Sequence, residues 1–259
     1  MRLLARLVLL MTSLWLAQAA PAAAASPFSD WSAVVVAGDW HAHSGGPSEA
    51  FDNARHDVTA ALEQAGFDAA NLRQFSVRPE RYKDAGLAKS APQAIYDALA
   101  DLTARTQGGC LIYFSSHGGP NGMGVVVDQG FIPPGVMAQM VNTTCGKRPT
   151  VVIISACFSG AFVPALAGPN RMIFTAARPD RSSFGCGEAD RYPYFDQCVL
   201  ESMPGASDFA GLATTVNACV ARRETKEGMK PPSEPQLYIG PQLRPLLPFY
   251  PFATPARGN

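Results

Sequence analysis

Cys110-Leu111-Ile112-Tyr113-Phe114-Ser115-Ser116-His117-Gly118-Gly119 and, forty residues on, Thr150-Val151-Val152-Ile153-Ile154-Ser155-Ala156-Cys157-Phe158-Ser159-Gly160 are the stretches that decide the fold. Each is a short apolar run that breaks abruptly into small and polar residues. Apolar side chains at consecutive positions are what a strand needs when both faces of its sheet are covered, and such sheets are mostly parallel. Runs of the same kind occupy residues 33–37, 171–176 and Gln236–Ile239, with a weaker one at 71–75. Between them Phe51, Ala54, Val58, Ala61, Leu62 and Ala65 recur at helical spacing until Gly66 stops the helix. Residues 91–106 and 208–226 read as further helices. Strands alternating with helices make an α/β domain, here a mostly parallel sheet of about six strands flanked by helices. Residues 123–127 and 131–132 flank Asp128-Gln129-Gly130 and read as a small hairpin inserted after the third main strand.

The 259 residues, 47% of them hydrophobic, suit one globular domain and are too apolar for a disordered chain. Twenty-one basic residues balance 21 acidic ones with no basic stripe, which argues against nucleic acid, since phosphate binding needs clustered Lys and Arg. At the N-terminus Arg2 and Arg6 precede an apolar run over residues 7–16. Ala17-Gln18-Ala19 and Ala23-Ala24-Ala25 then offer Ala-x-Ala cleavage sites, so residues 1–25 read as a secretory signal peptide. That run is roughly half of the ~20 apolar residues that cross a bilayer, and no later segment is long and apolar enough. Removing residues 1–25 takes away two arginines and no acid, leaving 19 basic residues against 21 acidic ones and a net charge of −2. The expectation is a soluble, exported protein, with a domain over residues 26–240 and a Pro-rich tail over 241–259 packed loosely on its surface.

In an open α/β sheet catalytic groups gather at the carboxyl ends of the strands. One strand here runs into His117-Gly118-Gly119, and another into Ala156-Cys157-Phe158-Ser159-Gly160. If the two are neighbours, about 4.8 Å apart, an imidazole and a sulfur stand side by side on one edge. A free cysteine, with its pKa of about 8.5, is only partly thiolate at neutral pH, so a nearby imidazole is what its nucleophilicity requires. The amides of Gly118 and Cys157 are placed to serve as an oxyanion hole. There is no G-x-S-x-G elbow, no C-x-x-C and no Walker or dinucleotide glycine pattern. His41 and His43 form a His-x-His, but a metal needs more ligands than that, so neither a metal nor a cofactor is expected.

These residues resemble the legumain-like cysteine peptidases, in the same clan as the caspases, and in particular their bacterial secreted members. Beyond the two strand ends, the segment from Thr175-Ala176-Ala177-Arg178 to Gly185-Cys186 is similar to the one that lines the family's specificity pocket. Asn53-Ala54-Arg55-His56-Asp57 is like its Asn-x-Arg-His stretch, and Pro232-Ser233-Glu234-Pro235-Gln236 is like the entry to its last strand. The resemblance implies a caspase-like three-layer sandwich, periplasmic or secreted, acting on peptide or protein substrates as a thiol endopeptidase that cleaves after Asn or Asp. It gives His117 the role of general base and acid and Cys157 that of nucleophile. Gly118 becomes an oxyanion donor and Asn53 the residue that orients the histidine. Arg55 and Ser183 fall on positions that line the pocket, where an arginine fork suits a carbonyl or carboxylate. Ser155 stands where legumain has an acid, and the other pocket acid corresponds to Asp196 or Gln197; asparagine is expected with the first, an acidic side chain with the second. Transpeptidation through the same thioester, or a catalytically silent binding protein, are the alternative readings.

With Cys157 kept reduced, five cysteines remain in a compartment where disulfides form. Cys110 and Cys145 lie just before two strands expected to be adjacent, and are the first expected bridge. Among Cys186, Cys198 and Cys219 at most one pair can form, with Cys198–Cys219 favoured because both lie on late helical segments.

Overall fold

The computed structural model describes residues 25–253, apart from 85, 121, 123 and 127–129. The segment read as a signal peptide lies, but for Ala25, outside the described residues. The chain runs through β1 (Ser32–Ala37), α1 (Ala50–Gln64), β2 (Leu72–Ser76), β3 (Ala88–Lys89), α2 (Pro92–Arg105), β4 (Cys110–Ser115), β5 (Gly124–Val126) and β6 (Gly130–Ile132). It continues through α3 (Pro134–Thr144), β7 (Thr150–Ser155), α4 (Phe162–Leu166), β8 (Arg171–Thr175), α5 (Tyr194–Ser202), α6 (Phe209–Glu227) and β9 (Gln236–Ile239). Seven strands form one sheet in the order β3-β2-β1-β4-β7-β8-β9, parallel throughout except for β9, which runs antiparallel to β8. The strand beyond the six expected is β3, whose two residues carry no readable pattern. The strands β5 and β6 pair antiparallel as the hairpin reading requires, and residues 128 and 129 of its turn lie outside the described residues.

Every residue of β1, β4 and β7 is buried, as consecutive apolar positions demand of central strands. Alternate side chains divide between two cores. Ala33 and Val35, Leu111 and Tyr113, Val151 and Ile153 pack toward α1, α5 and α6. Val34 and Val36, Ile112 and Phe114, Val152 and Ile154 pack toward α2, α3 and α4. This is a three-layer sandwich. A fully buried Val, Leu, Ile or Phe contributes about 1.5–3 kcal/mol, so the strands that carry His117 and Cys157 at their ends are the best-anchored part of the molecule.

The three helices delimited in the sequence form as α1, α2 and α6, while α3 and α4 were not anticipated, and the ends of α6 have local causes. Asp208 caps α6 by accepting from the Gly211 amide at 2.8 Å, and Gly228, at φ +69°, closes it. Disulfides join Cys110 to Cys145, tying the start of β4 to the end of α3, and Cys198 to Cys219, tying α5 to α6, with Cα separations of 6.0 and 5.7 Å. The Pro-rich end departs from expectation. Instead of lying loosely on the surface, it buries Leu243, Leu247 and Phe252 in the same core as Phe28 and Trp31. The apolar residues between its prolines are what hold it there. Among the described residues no helix is long and apolar enough to cross a membrane.

Candidate active site

Ser115 of β4 and Ser155 of β7 are paired in register, and the amide of Ser116 donates to the Ser155 carbonyl at 3.0 Å. His117 and Cys157 therefore each lie two residues past a paired position on adjacent parallel strands, both half-buried. The two backbones touch just beyond. A Cβ placed on Gly118 would lie 1.9 Å from the Cys157 carbonyl oxygen, so only glycine permits this approach. After Cys157 the chain turns sharply. Phe158 adopts the left-handed region (φ 57°, ψ 12°), and its amide donates to the Arg181 carbonyl at 2.8 Å. A bulky residue there carries strain of order 1–3 kcal/mol, held by its surroundings at the residue following the sulfur.

The ring of His117 is fixed on two sides. Phe51 of α1 meets it edge-on at 5.0 Å between centroids, and Nε2 lies 2.9 Å from the His41 carbonyl oxygen. A carbonyl only accepts, so Nε2 carries the proton and Nδ1 is left as the basic nitrogen. Ser183 surrounds the sulfur: its amide donates to Cys157 Sγ at 3.3 Å, its carbonyl lies at 3.5 Å and its hydroxyl at 3.6 Å.

The structure does not bring Asn53 to His117. The Asn53 amide group donates to the Arg191 carbonyl at 3.1 Å, and the His41 carbonyl is the group that meets the histidine. Nor does Arg55 line an open pocket. It is 1% exposed, with Nε on Asp52 at 3.0 Å, Nη1 paired with Asp84 at 2.8 Å and also donating to Gln74, and its guanidinium over the Tyr82 ring. A short Asn-x-Arg-His match on the amphipathic helix α1 put an inward-facing arginine, neutralised by two acids, in the place of a surface one.

Asp196, the first candidate for the second pocket acid, lies beneath the site rather than on its wall. It is wholly buried; Oδ2 accepts from Ser115 at 2.7 Å and from Ser155 at 2.8 Å, and Oδ1 accepts from the Tyr113 hydroxyl. Burial outweighs these bonds and lifts the carboxyl to about 6. Ser155 is shut in with it. Gln197, the other candidate, faces outward and donates to Glu201. Asp196 thus ties the ends of β4 and β7 together from below.

Two loops close one side of the site. The Ser44 hydroxyl donates to Glu188 at 2.8 Å and the Ser48 hydroxyl to the Gly187 carbonyl at 3.1 Å. Cys186, the leftover cysteine, sits in this seam, where burial and the nearby Cys157 push its thiol up to about 11. The residue that the sequence reading missed is His41. Its signal was its place just past β1, a strand that the sheet order sets directly beside β4.

The peptidase C13 family model matches residues 96–219, a span from α2 to α6 that contains both His117 and Cys157. Among solved structures, the crystal structure of caspase-1 from Spodoptera frugiperda is similar to this chain with a TM-score of 0.59. The match covers 83% of this chain and 88% of that one at 16% identity, and speaks for the fold. No curated protein sequence matches the chain.

Proposed function

Because this chain is a legumain-like cysteine peptidase with a caspase-like fold, we propose that it is an exported endopeptidase that cleaves after Asn or Asp through a thioester on Cys157. The observation that carries the mechanism is the placement of His117 and Cys157 two residues beyond the Ser115–Ser155 register pair, with Nδ1 of His117 left basic by the His41 carbonyl. Cys157 Sγ gives its proton to His117 and attacks the scissile carbonyl. The amides of Gly118 and Cys157 hold the oxyanion. His117 passes the proton to the leaving amine, and the carbon–nitrogen bond breaks to leave a thioester. Water, deprotonated by His117, then releases the acid and regenerates the thiol.

The Asn or Asp preference rests on the likeness to the legumain-like peptidases and on Ser183 beside the sulfur, not on Arg55, whose guanidinium is committed within the fold. Export is supported by the charged and apolar N-terminus with its Ala-x-Ala sites and by two disulfides, which persist in oxidising compartments. The test is digestion of a peptide library by the purified protein with the cut sites mapped by mass spectrometry. Cuts on the carboxyl side of Asn and Asp are expected; cuts after other residues would overturn the specificity. N-terminal sequencing of protein recovered outside the cytoplasm should begin after Ala19 or Ala25, and an uncleaved N-terminus would count against export.

A further inference from the structure

We infer that Asp39 is a positioning residue for the peptidase reaction: it holds the turn after β1 in the shape that presents the His41 carbonyl to His117. The inference rests on the Cys157/His117 reading above. Asp39 is 4% exposed, and one of its oxygens, Oδ1, accepts three bonds: from the Trp40 amide at 2.6 Å, the His41 amide at 2.9 Å and His41 Nδ1 at 2.9 Å. An aspartate that binds its own backbone one and two residues on fixes the local chain direction. Here that direction decides where the next carbonyl points, and it points at His117 Nε2, 2.9 Å away.

The turn is held from outside as well. The Gly38 amide, at its start, donates to the carbonyl of Ser115 at the end of β4, at 2.9 Å. The Trp40 ring lies against the His41 ring on one side and under the Arg78 guanidinium, 4.4 Å from its centroid, on the other. Arg78 in turn donates to Glu49 at 3.2 Å. Backbone bonds act on the same segment, the Ala42 amide donating to the Gly46 carbonyl at 2.7 Å and the Ser48 amide to the Trp40 carbonyl at 2.8 Å; Asp39 adds the side-chain acceptor that fixes the Trp40 and His41 amides leading into the His41 carbonyl. With the His41 carbonyl displaced, the proton of His117 is free to sit on Nδ1, the nitrogen that must take the proton from Cys157, and Phe51 alone is left to hold the ring.

The experiment compares wild type with Asp39→Ala, Asp39→Ser and Asp39→Asn in peptide cleavage, and measures the rate of Cys157 alkylation by iodoacetamide at pH 7. Asp39→Ala should lose about 100-fold in kcat with KM within about twofold, the usual size of a lost acid–base contribution. Its alkylation rate should fall in parallel. Asp39→Asn keeps an acceptor oxygen for the two amides and should recover most of kcat. A merely structural aspartate would lower Tm in all variants and leave kcat and alkylation of the folded protein unchanged. Folded Asp39→Ala with kcat within about threefold of wild type overturns the inference. Should that variant not fold, Asp39→Ser, whose hydroxyl accepts fewer bonds, is expected to lose about tenfold, and wild-type kcat there overturns it equally. Failure of the wild type itself to cleave peptides or to alkylate rapidly would instead bring down the peptidase reading, and the inference with it.

Discussion

Asp196→Asn should flatten the pH dependence of stability between pH 4 and pH 7. In the folded protein the carboxyl is held at about 6 by burial, against 3.8 for an ordinary aspartate. Between those values the folded state keeps a proton that the unfolded chain has lost. Wild-type stability therefore falls as pH rises through the window and levels off above about 6. At ~1.36 kcal/mol for each pH unit of difference, the decline from this one group is about 3 kcal/mol. Asparagine does not titrate, and the Ser115 and Ser155 hydroxyls can turn to accept from its amide. Any constant cost of that rearrangement cancels when two pH values are compared. Part of that decline lies below pH 4, so between pH 4 and pH 7 the variant should gain about 2.4 kcal/mol on wild type, equivalent to a relative Tm change of about 5–10 °C in a domain of this size. Thermal or urea unfolding of both proteins at pH 4, 5, 6 and 7 measures it. A stability difference constant with pH would refute the raised carboxyl. A variant that loses ground as pH rises would show that the three hydroxyl donors outweigh burial.

Gly118→Ala puts a Cβ against the Cys157 carbonyl and must push the two strand ends apart, so cleavage should fall by ~100-fold or more while circular dichroism is unchanged; near-normal kcat would refute the tight approach. Iodoacetamide at pH 7–8 should label Cys157 well before Cys186, whose thiol ionises only near pH 11; peptide mapping reads the ratio, and equal labelling would contradict it. Replacing both Cys198 and Cys219 by serine opens a loop with a sequence separation of 21 and should cost roughly 3 kcal/mol in urea unfolding, whereas an unchanged midpoint would deny the bridge a stabilising part.

The central sheet was legible because burial on both faces forces consecutive apolar residues in β1, β4, β7 and β8, and the same breaks that ended the strands exposed His117 and Cys157. The short edge strand β3 and the five-residue helix α4 left no comparable pattern, since two residues, or little more than one turn, do not define a period. The surroundings of the dyad were harder to see. His41 meets His117 across 76 positions of sequence, and Asp196 meets Ser115 across 81, through sheet neighbours that no local pattern encodes. Arg55 failed for the opposite reason: a local match looked convincing, but the side chain's direction is set by the face of α1 it occupies. The tail misled because prolines were read as looseness, whereas Leu243, Leu247 and Phe252 between them fill the core.

The central claim is that Cys157 carries the acyl group of a cleaved peptide. It is tested most directly by quenching the protein in acid during turnover of a peptide cut at a single site, then locating any added mass by peptide mapping. The account predicts the acyl portion of the substrate on Cys157, no adduct and no cleavage with Cys157→Ala, and almost none with His117→Ala. Cleavage at the wild-type rate by Cys157→Ala, or an acyl group found on another residue, would contradict it.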